Sequence, residues 1–141
     1  MTRELMIMRH CKSSWRDTTL PDVERPLNAR GKADALAMGR LLDEQRLLPD
    51  LAISSPAKRA RSTLKRLAKA SHYRGQIRIE ETLYHPTPSQ MLTILSQVDD
   101  AHRRVLIVGH NPELDELVHV LTGQVVSLPT GAIVHLRLTI D

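Results

Sequence analysis

Apolar residues fall along this chain in two rhythms. Unbroken runs at 5–8 (Leu-Met-Ile-Met), 51–53 (Leu-Ala-Ile) and 105–108 (Val-Leu-Ile-Val) are bounded by polar residues. Runs of this length read as strands buried on both faces. Between them, apolar residues recur every third or fourth position: Ala33, Leu36, Ala37 and Leu41; Ala60, Leu64, Leu67 and Ala68; Met91, Leu92, Leu95 and Val98; Leu114, Leu117, Val118 and Leu121. That spacing lines one face of a helix. Alternation at 76–80 and 132–140 predicts two further strands, the first short and partly exposed.

The residues between these stretches punctuate them. The first strand covers 4–9. Residues 11–27 have no periodicity and contain Pro21 and Pro26, which predicts a long loop of the kind that often carries function. Asn28 is placed to cap a helix reaching about Arg46, with Gly31 and Gly39 weakening it. Ser55 is the expected cap of a second helix, with Pro56 in its first turn, running to about Ser71. Lys58, Lys65 and Lys69 lie opposite its apolar stripe and read as a solvated face. Thr87-Pro88-Ser89-Gln90 resembles a capping box, and Gly123 stops the last helix. The order βαβα, a short strand, αβα and a final strand predicts a three-layer α/β/α sandwich on a mostly parallel sheet. No repeat, linker or low-complexity segment interrupts it, so residues 1–141 are expected to form a single domain.

Composition narrows the partners. Hydrophobic residues are 41% and charged residues 26%, the balance of a soluble globular protein. There is no Phe and aromatics are 2%, so the core must be aliphatic and base stacking has little to work with. A formal charge of +4 favours anionic partners, phosphorylated ones rather than nucleic acid on this composition. The single cysteine, Cys11, cannot form an internal disulfide. No apolar run approaches the roughly 18 residues of a membrane span, and the N-terminal run is too short for a secretory signal. The expectation is a cytoplasmic protein without membrane contact.

Candidate chemistry sits where the strands end. The first ends in Arg9-His10, the second in Ser54-Ser55-Pro56 with Arg59 one turn further, and the third in Gly109-His110-Asn111-Pro112. In a parallel sheet these tips share one edge, where ligands of open α/β folds bind. Two arginines and two histidines converging there make a phosphoryl-binding set that includes a nucleophile. Arg59, in the first turn of its helix, opposes the helix dipole unless an anion is nearby.

These tips resemble the histidine phosphatase superfamily, which also holds the phosphoglycerate mutases, and most of all its small SixA-type phosphohistidine phosphatases. The likeness spans the chain. It is carried by Met8-Arg9-His10-Cys11-Lys12-Ser13, Arg25-Pro26-Leu27 with Gly31, Ser54-Ser55-Pro56 with Arg59-Ala60 and Thr63, Leu83-Tyr84-His85, Val108-Gly109-His110-Asn111-Pro112, and Pro129-Thr130-Gly131-Ala132. The resemblance implies a phosphoglycerate-mutase-like fold, without a large cap at this length. It implies a metal-independent, cofactor-free phosphatase in which His10 becomes transiently phosphorylated. Arg9, Arg59 and His110 match the family's phosphate pocket, and Arg25 a further position near the phosphate. Glu81 is the nearest candidate for the general acid of larger members, with Glu80 and His85 beside it. Where the family most often has Gly after Arg-His, this chain has Cys11, a variation within the small subgroup. The implied substrate is phosphohistidine in a protein, with small phosphoesters as the alternative.

Three other readings are weaker. A cysteine-dependent phosphatase needs a longer loop than the four residues separating Cys11 from Arg16. A non-catalytic binder of phosphorylated proteins or nucleic acid would rest on the face of Lys58, Lys65 and Lys69 alone. A mutase needs a lid to keep water from the phosphoenzyme. His72, His85, His102, His119 and His135 have no metal-ligand spacing and read as surface or locally bonded histidines.

Overall fold

The computed structural model describes residues 2–139. Its strands are β1 (Thr2–Arg9), β2 (Leu51–Ser54), β3 (Gln76–Ile79), β4 (Arg104–Gly109) and β5 (Ile133–Thr139). Its helices are α1 (Ala29–Glu44), α2 (Lys58–Ser71), α3 (Pro88–Ser96) and α4 (Glu113–Thr122), with short 3-10 turns at Asp22–Glu24 and Glu81–Leu83. The five strands form one sheet in the order β3-β2-β4-β1-β5. The pairings β3-β2, β2-β4 and β4-β1 are parallel, and β5 runs antiparallel to β1. No large cap is inserted between these elements.

The apolar runs lie at the centre of the sheet and divide their side chains between its two faces. Leu5, Ile7, Ile53 and Ile107 join Met91, Leu114 and Leu117 in one core. Met6, Met8, Leu106 and Val108 join Ala35, Leu42, Leu64 and Leu67 in the other. A period of two along each strand makes both cores from the same run, which completes the three expected layers. Each fully buried Leu or Ile contributes roughly 2–3 kcal/mol of transfer free energy, so a shift of register would be costly. Ser54 stands opposite Val108, and Arg9 opposite Gly109. The three polar tips therefore lie on one edge.

Several local expectations hold. Asn28 caps α1, its side chain accepting from the Gly31 N–H at 2.8 Å. Thr87 and Gln90 form a reciprocal capping box with Pro88 in the first turn. α4 stops at Gly123, at φ 75°. On α2, Ala60, Leu64 and Leu67 are buried while Lys58, Lys65 and Lys69 are exposed. The last strand ends at Thr139, and residue 140 lies outside the described residues.

Two expectations are corrected. The inner face of α1 is Gly31, Ala35, Gly39 and Leu42, while Ala33, Ala37 and Leu41 face solvent. The cause is close backbone contact. A Cβ on Gly39 would lie 2.4 Å from the Leu67 carbonyl oxygen of α2, and one on Gly31 would lie 2.1 Å from the Lys12 carbonyl oxygen. The glycines that weaken the helix in isolation are its contact surface. Nor is Ser55 the cap of α2: Ala57 occupies that position. The Ser55 hydroxyl instead accepts from the Ala57 N–H at 3.2 Å and meets His110, as described below. Smaller differences concern α3, where Ile94 is buried and Leu92 and Leu95 are half-buried.

Candidate active site

His10 follows the last residue of β1 and stays within the sheet's hydrogen bonding, its N–H donating to the Gly109 carbonyl at 3.0 Å. The residue is buried, 7% exposed. Nδ1 lies 2.7 Å from the Cys11 carbonyl oxygen. A carbonyl can only accept, so Nδ1 carries the proton and Nε2 is left with a free lone pair. Burial first, then the charges of Arg59, Arg9 and Arg25, push the His10 pKa down to about 4. The ring is therefore neutral at pH 7, as a nucleophile requires.

The chain beyond His10 is fixed to α2. The Cys11 N–H donates to Thr63 Oγ1 at 3.0 Å, and that hydroxyl donates to the Arg59 carbonyl at 2.7 Å. Cys11 is fully buried, and burial pushes its thiol up to about 11. It is not among the residues of positive φ, so its backbone needs no glycine. Gly131, at φ 80°, donates its N–H to the Arg9 and His10 carbonyls, and a Cβ there would lie 3.3 Å from the Cys11 sulfur. This ties the Pro129–Ala132 segment to the tip of β1.

Arg9, Arg59 and His110 lie close to His10. Arg9 Nη1 donates to the Leu128 carbonyl at 3.0 Å. His110, at the end of β4, stands with its ring centroid 5.1 Å from that of His10. Its Nε2 is 2.7 Å from Ser55 Oγ, at the end of β2. Burial, then the neighbouring His10 and Arg59, push its pKa down to about 3. Arg9 Nε, Arg59 Nε and His110 Nδ1 are enclosed without a protein partner. Buried polar atoms left in this way are costly and cluster where a ligand completes the bonding.

The residue that organises the arginines has no sequence signal of its own. Asp22, on the first 3-10 turn, accepts from Arg59 Nη2 at 3.0 Å, from Arg25 Nε at 3.1 Å and from the Tyr84 hydroxyl at 2.6 Å. Its carbonyl accepts from Arg59 Nη1 at 2.7 Å. Tyr84, then Arg59 and Arg25, hold its carboxyl far below the usual carboxylate range. Asp22 is thus the anion that relieves Arg59 at the start of α2. Arg25 is buried and also donates to Ser13 Oγ at 3.0 Å, which brings the expected outer member into the same network.

The carboxyl candidates lie at the margin. Glu81 is exposed, and its side chain makes no hydrogen bond or ion pair among the described residues. Glu80 is half-buried and its N–H pairs with the Ser54 carbonyl. His85 packs on Tyr84 with ring centroids 4.3 Å apart and faces Glu113, 3.2 Å from Oε1. No group of three His, Cys, Asp or Glu side chains among the described residues is arranged to hold a metal ion. Nor is any described helix long and apolar enough to cross a membrane.

The signature of the histidine phosphatase superfamily (branch 1) matches residues 5–84, more than half of the chain. The chain belongs to that superfamily. An uncharacterized chloroplastic protein of Arabidopsis thaliana is 30% identical over 139 residues, 92% of this chain, which spans 64% of that relative's length. Among solved structures, a candidate SixA phosphohistidine phosphatase of Agrobacterium tumefaciens is 26% identical, with a TM-score of 0.82 over 99% of this chain and 96% of its own. The fold is likewise that of the protein histidine phosphatase SixA complexed with tungstate. That match has a TM-score of 0.86 at 23% identity, over 94% of this chain and 86% of its own.

Proposed function

We propose that the protein is a metal-independent phosphatase that works through a phosphohistidine at His10 and acts on phosphohistidine in a protein. The observation that carries this reading is the state of His10. Its Nδ1 proton is held by the Cys11 carbonyl, its Nε2 is unengaged, and three guanidinium groups stand close enough to depress its pKa. An anionic phosphoryl group is the substrate such a field attracts.

In the first step Nε2 attacks phosphorus as the bond to the leaving group breaks. Arg9, Arg25, Arg59 and His110 hold the equatorial oxygens and spread their charge. In the second step water attacks phospho-His10, the P–N bond breaks, and inorganic phosphate leaves with the imidazole neutral again. A phosphohistidine substrate suits this site because its imidazole can leave protonated. For an ester, the alkoxide needs a proton, and Glu81, on the 3-10 turn leading into Tyr84, is the carboxyl we assign to it. The tungstate in the SixA structure is a tetrahedral oxyanion and supports a phosphate reading of this fold.

The test is to trap the intermediate. After reaction with phosphoramidate, the protein should carry an acid-labile, alkali-stable phosphate that is absent in His10→Ala and unaffected by chelator. Turnover should fall about 10³-fold or more in that variant. A fully active His10→Ala would end the proposal. Parallel assays with a phosphohistidine protein and a small phosphoester separate the two substrate classes.

A further inference from the structure

The loop after His10 opens onto a second cationic surface. Segments 12–16 and 26–32 line a groove of about 740 Å³. Every charged side chain lining it is a cation, namely Lys12, Arg16, Arg30 and Lys32, and all four are exposed. Among the described residues the only acid paired with them is Asp34, 3.6 Å from Arg30 Nε, and that pair is exposed and screened. Trp15, the chain's one tryptophan, lines the groove and is 68% exposed. An indole normally buries most of its large surface, so one left this open is unusual.

The groove adjoins the catalytic pocket through Arg25. The Arg25 guanidinium lies 3.5 Å over the Trp15 ring, while its nitrogens bond Ser13 and Asp22. Ser13 lines the groove and accepts from that same arginine. A chain whose phosphorylated residue reached His10 would run past Trp15.

The chemistry of the occupant follows from how the charges are held. A small anion needs a few fixed donors, and these four cations are separate, solvated and on flexible stems. Several weak contacts to successive carboxylates, with side chains laid on an aromatic face, suit an extended acidic polypeptide. Nucleic acid would ask for more aromatic faces than one. We propose that this groove binds the acidic polypeptide segment beside the phosphorylated residue of a protein substrate. The proposal rests on the phosphatase reading for its biological sense, but binding can be measured without turnover.

Because Trp15 is the only indole, its fluorescence reports the groove directly. A peptide rich in Glu and Asp should give a saturable change in emission with the wild-type protein. An analogue with Gln in place of the acids should give none. Raising salt from about 0.05 to 0.5 M should weaken the response about tenfold or more. The triple variant Arg16→Gln, Arg30→Gln, Lys32→Gln should weaken it by a similar factor. That variant should keep its kcat/KM on phosphoramidate while losing about tenfold on a phosphohistidine peptide with acidic flanks. No emission change with the acidic peptide, an unchanged triple variant, or tighter response to a single-stranded oligonucleotide would overturn the proposal. A protein that hydrolyses neither substrate fails as a phosphatase, and the Trp15 titration still decides the groove.

Discussion

Two cationic regions meet at Arg25, and they differ in what surrounds their charges. In the pocket, Arg25 and Arg59 are 8% and 5% exposed, and each is tied to Asp22. In the groove, Arg16, Arg30, Lys12 and Lys32 stand in water. A buried guanidinium must have partners, and partners fix its direction. A solvated one is screened within about 10 Å at ordinary salt and keeps its freedom. The pocket arginines are therefore fixed in direction, and burial, with their charges added to it, moves the titration of His10 well below neutrality. The groove can only sum weak contacts over an extended partner.

The comparison is broken most directly by deleting one charge from each region. Arg59→Ala should lower kcat/KM about 10²- to 10³-fold, as loss of a preorganised donor does. Arg30→Ala should leave turnover of a small substrate within about twofold. Equal losses in steady-state kinetics would remove the distinction between the two regions.

Asp22→Asn tests what aims the pocket arginines. The neutral amide keeps the shape but loses the charge that neutralises Arg59 and Arg25. We expect kcat/KM to fall about tenfold, with Asp22→Glu recovering part of it. The Tyr84 hydroxyl, whose pKa the Asp22 carboxylate raises, should ionise at lower pH in the Asn variant. Ultraviolet titration reads this directly, and an unmoved Tyr84 would deny Asp22 its role as a positioning residue.

Burial of the two histidines also predicts sensitivity to acid. In an unfolded chain each imidazole titrates near 6.5, whereas in the fold His10 and His110 titrate near 4 and 3. Between those values the unfolded state binds protons that the native state refuses. Stability is thus complete above pH 6.5 and is lost as pH falls toward 3, by on the order of a few kcal/mol. The Tm should fall steadily from pH 7 to 4, and less steeply in His110→Asn. A flat profile would mean that both rings accept protons in place.

A small effect also belongs to Cys11. Its thiol is buried and pushed up to about 11, so Cys11→Ser should retain activity within a few-fold and resist thiol reagents no less than the wild type. Strong inactivation in peptide-independent assays would reopen a cysteine mechanism.

Much of this was legible along the chain because its causes are local. A central parallel strand must be apolar throughout, so β1, β2 and β4 stand out as runs, and the polar residues ending those runs fall on one edge once the strands are parallel. His10, Arg9, Arg59 and His110 follow from that rule, and the family likeness gave them roles. Caps formed by Asn28 and Thr87 are equally local, since donor and acceptor lie three residues apart. Other features required contacts between distant segments. Asp22 meets Arg59 across 37 positions and Tyr84 across 62, from a loop with no periodicity. Ser55 has the spacing of a helix cap, yet it meets His110, 55 residues away. The inner face of α1 was set by how closely two backbones approach at Gly39, which no count of leucines contains. Hydrophobic period encodes which elements form and which edge is polar. Side-chain partnership across the fold, which only packing creates, decides how the arginines are aimed and which nitrogen of His110 is engaged.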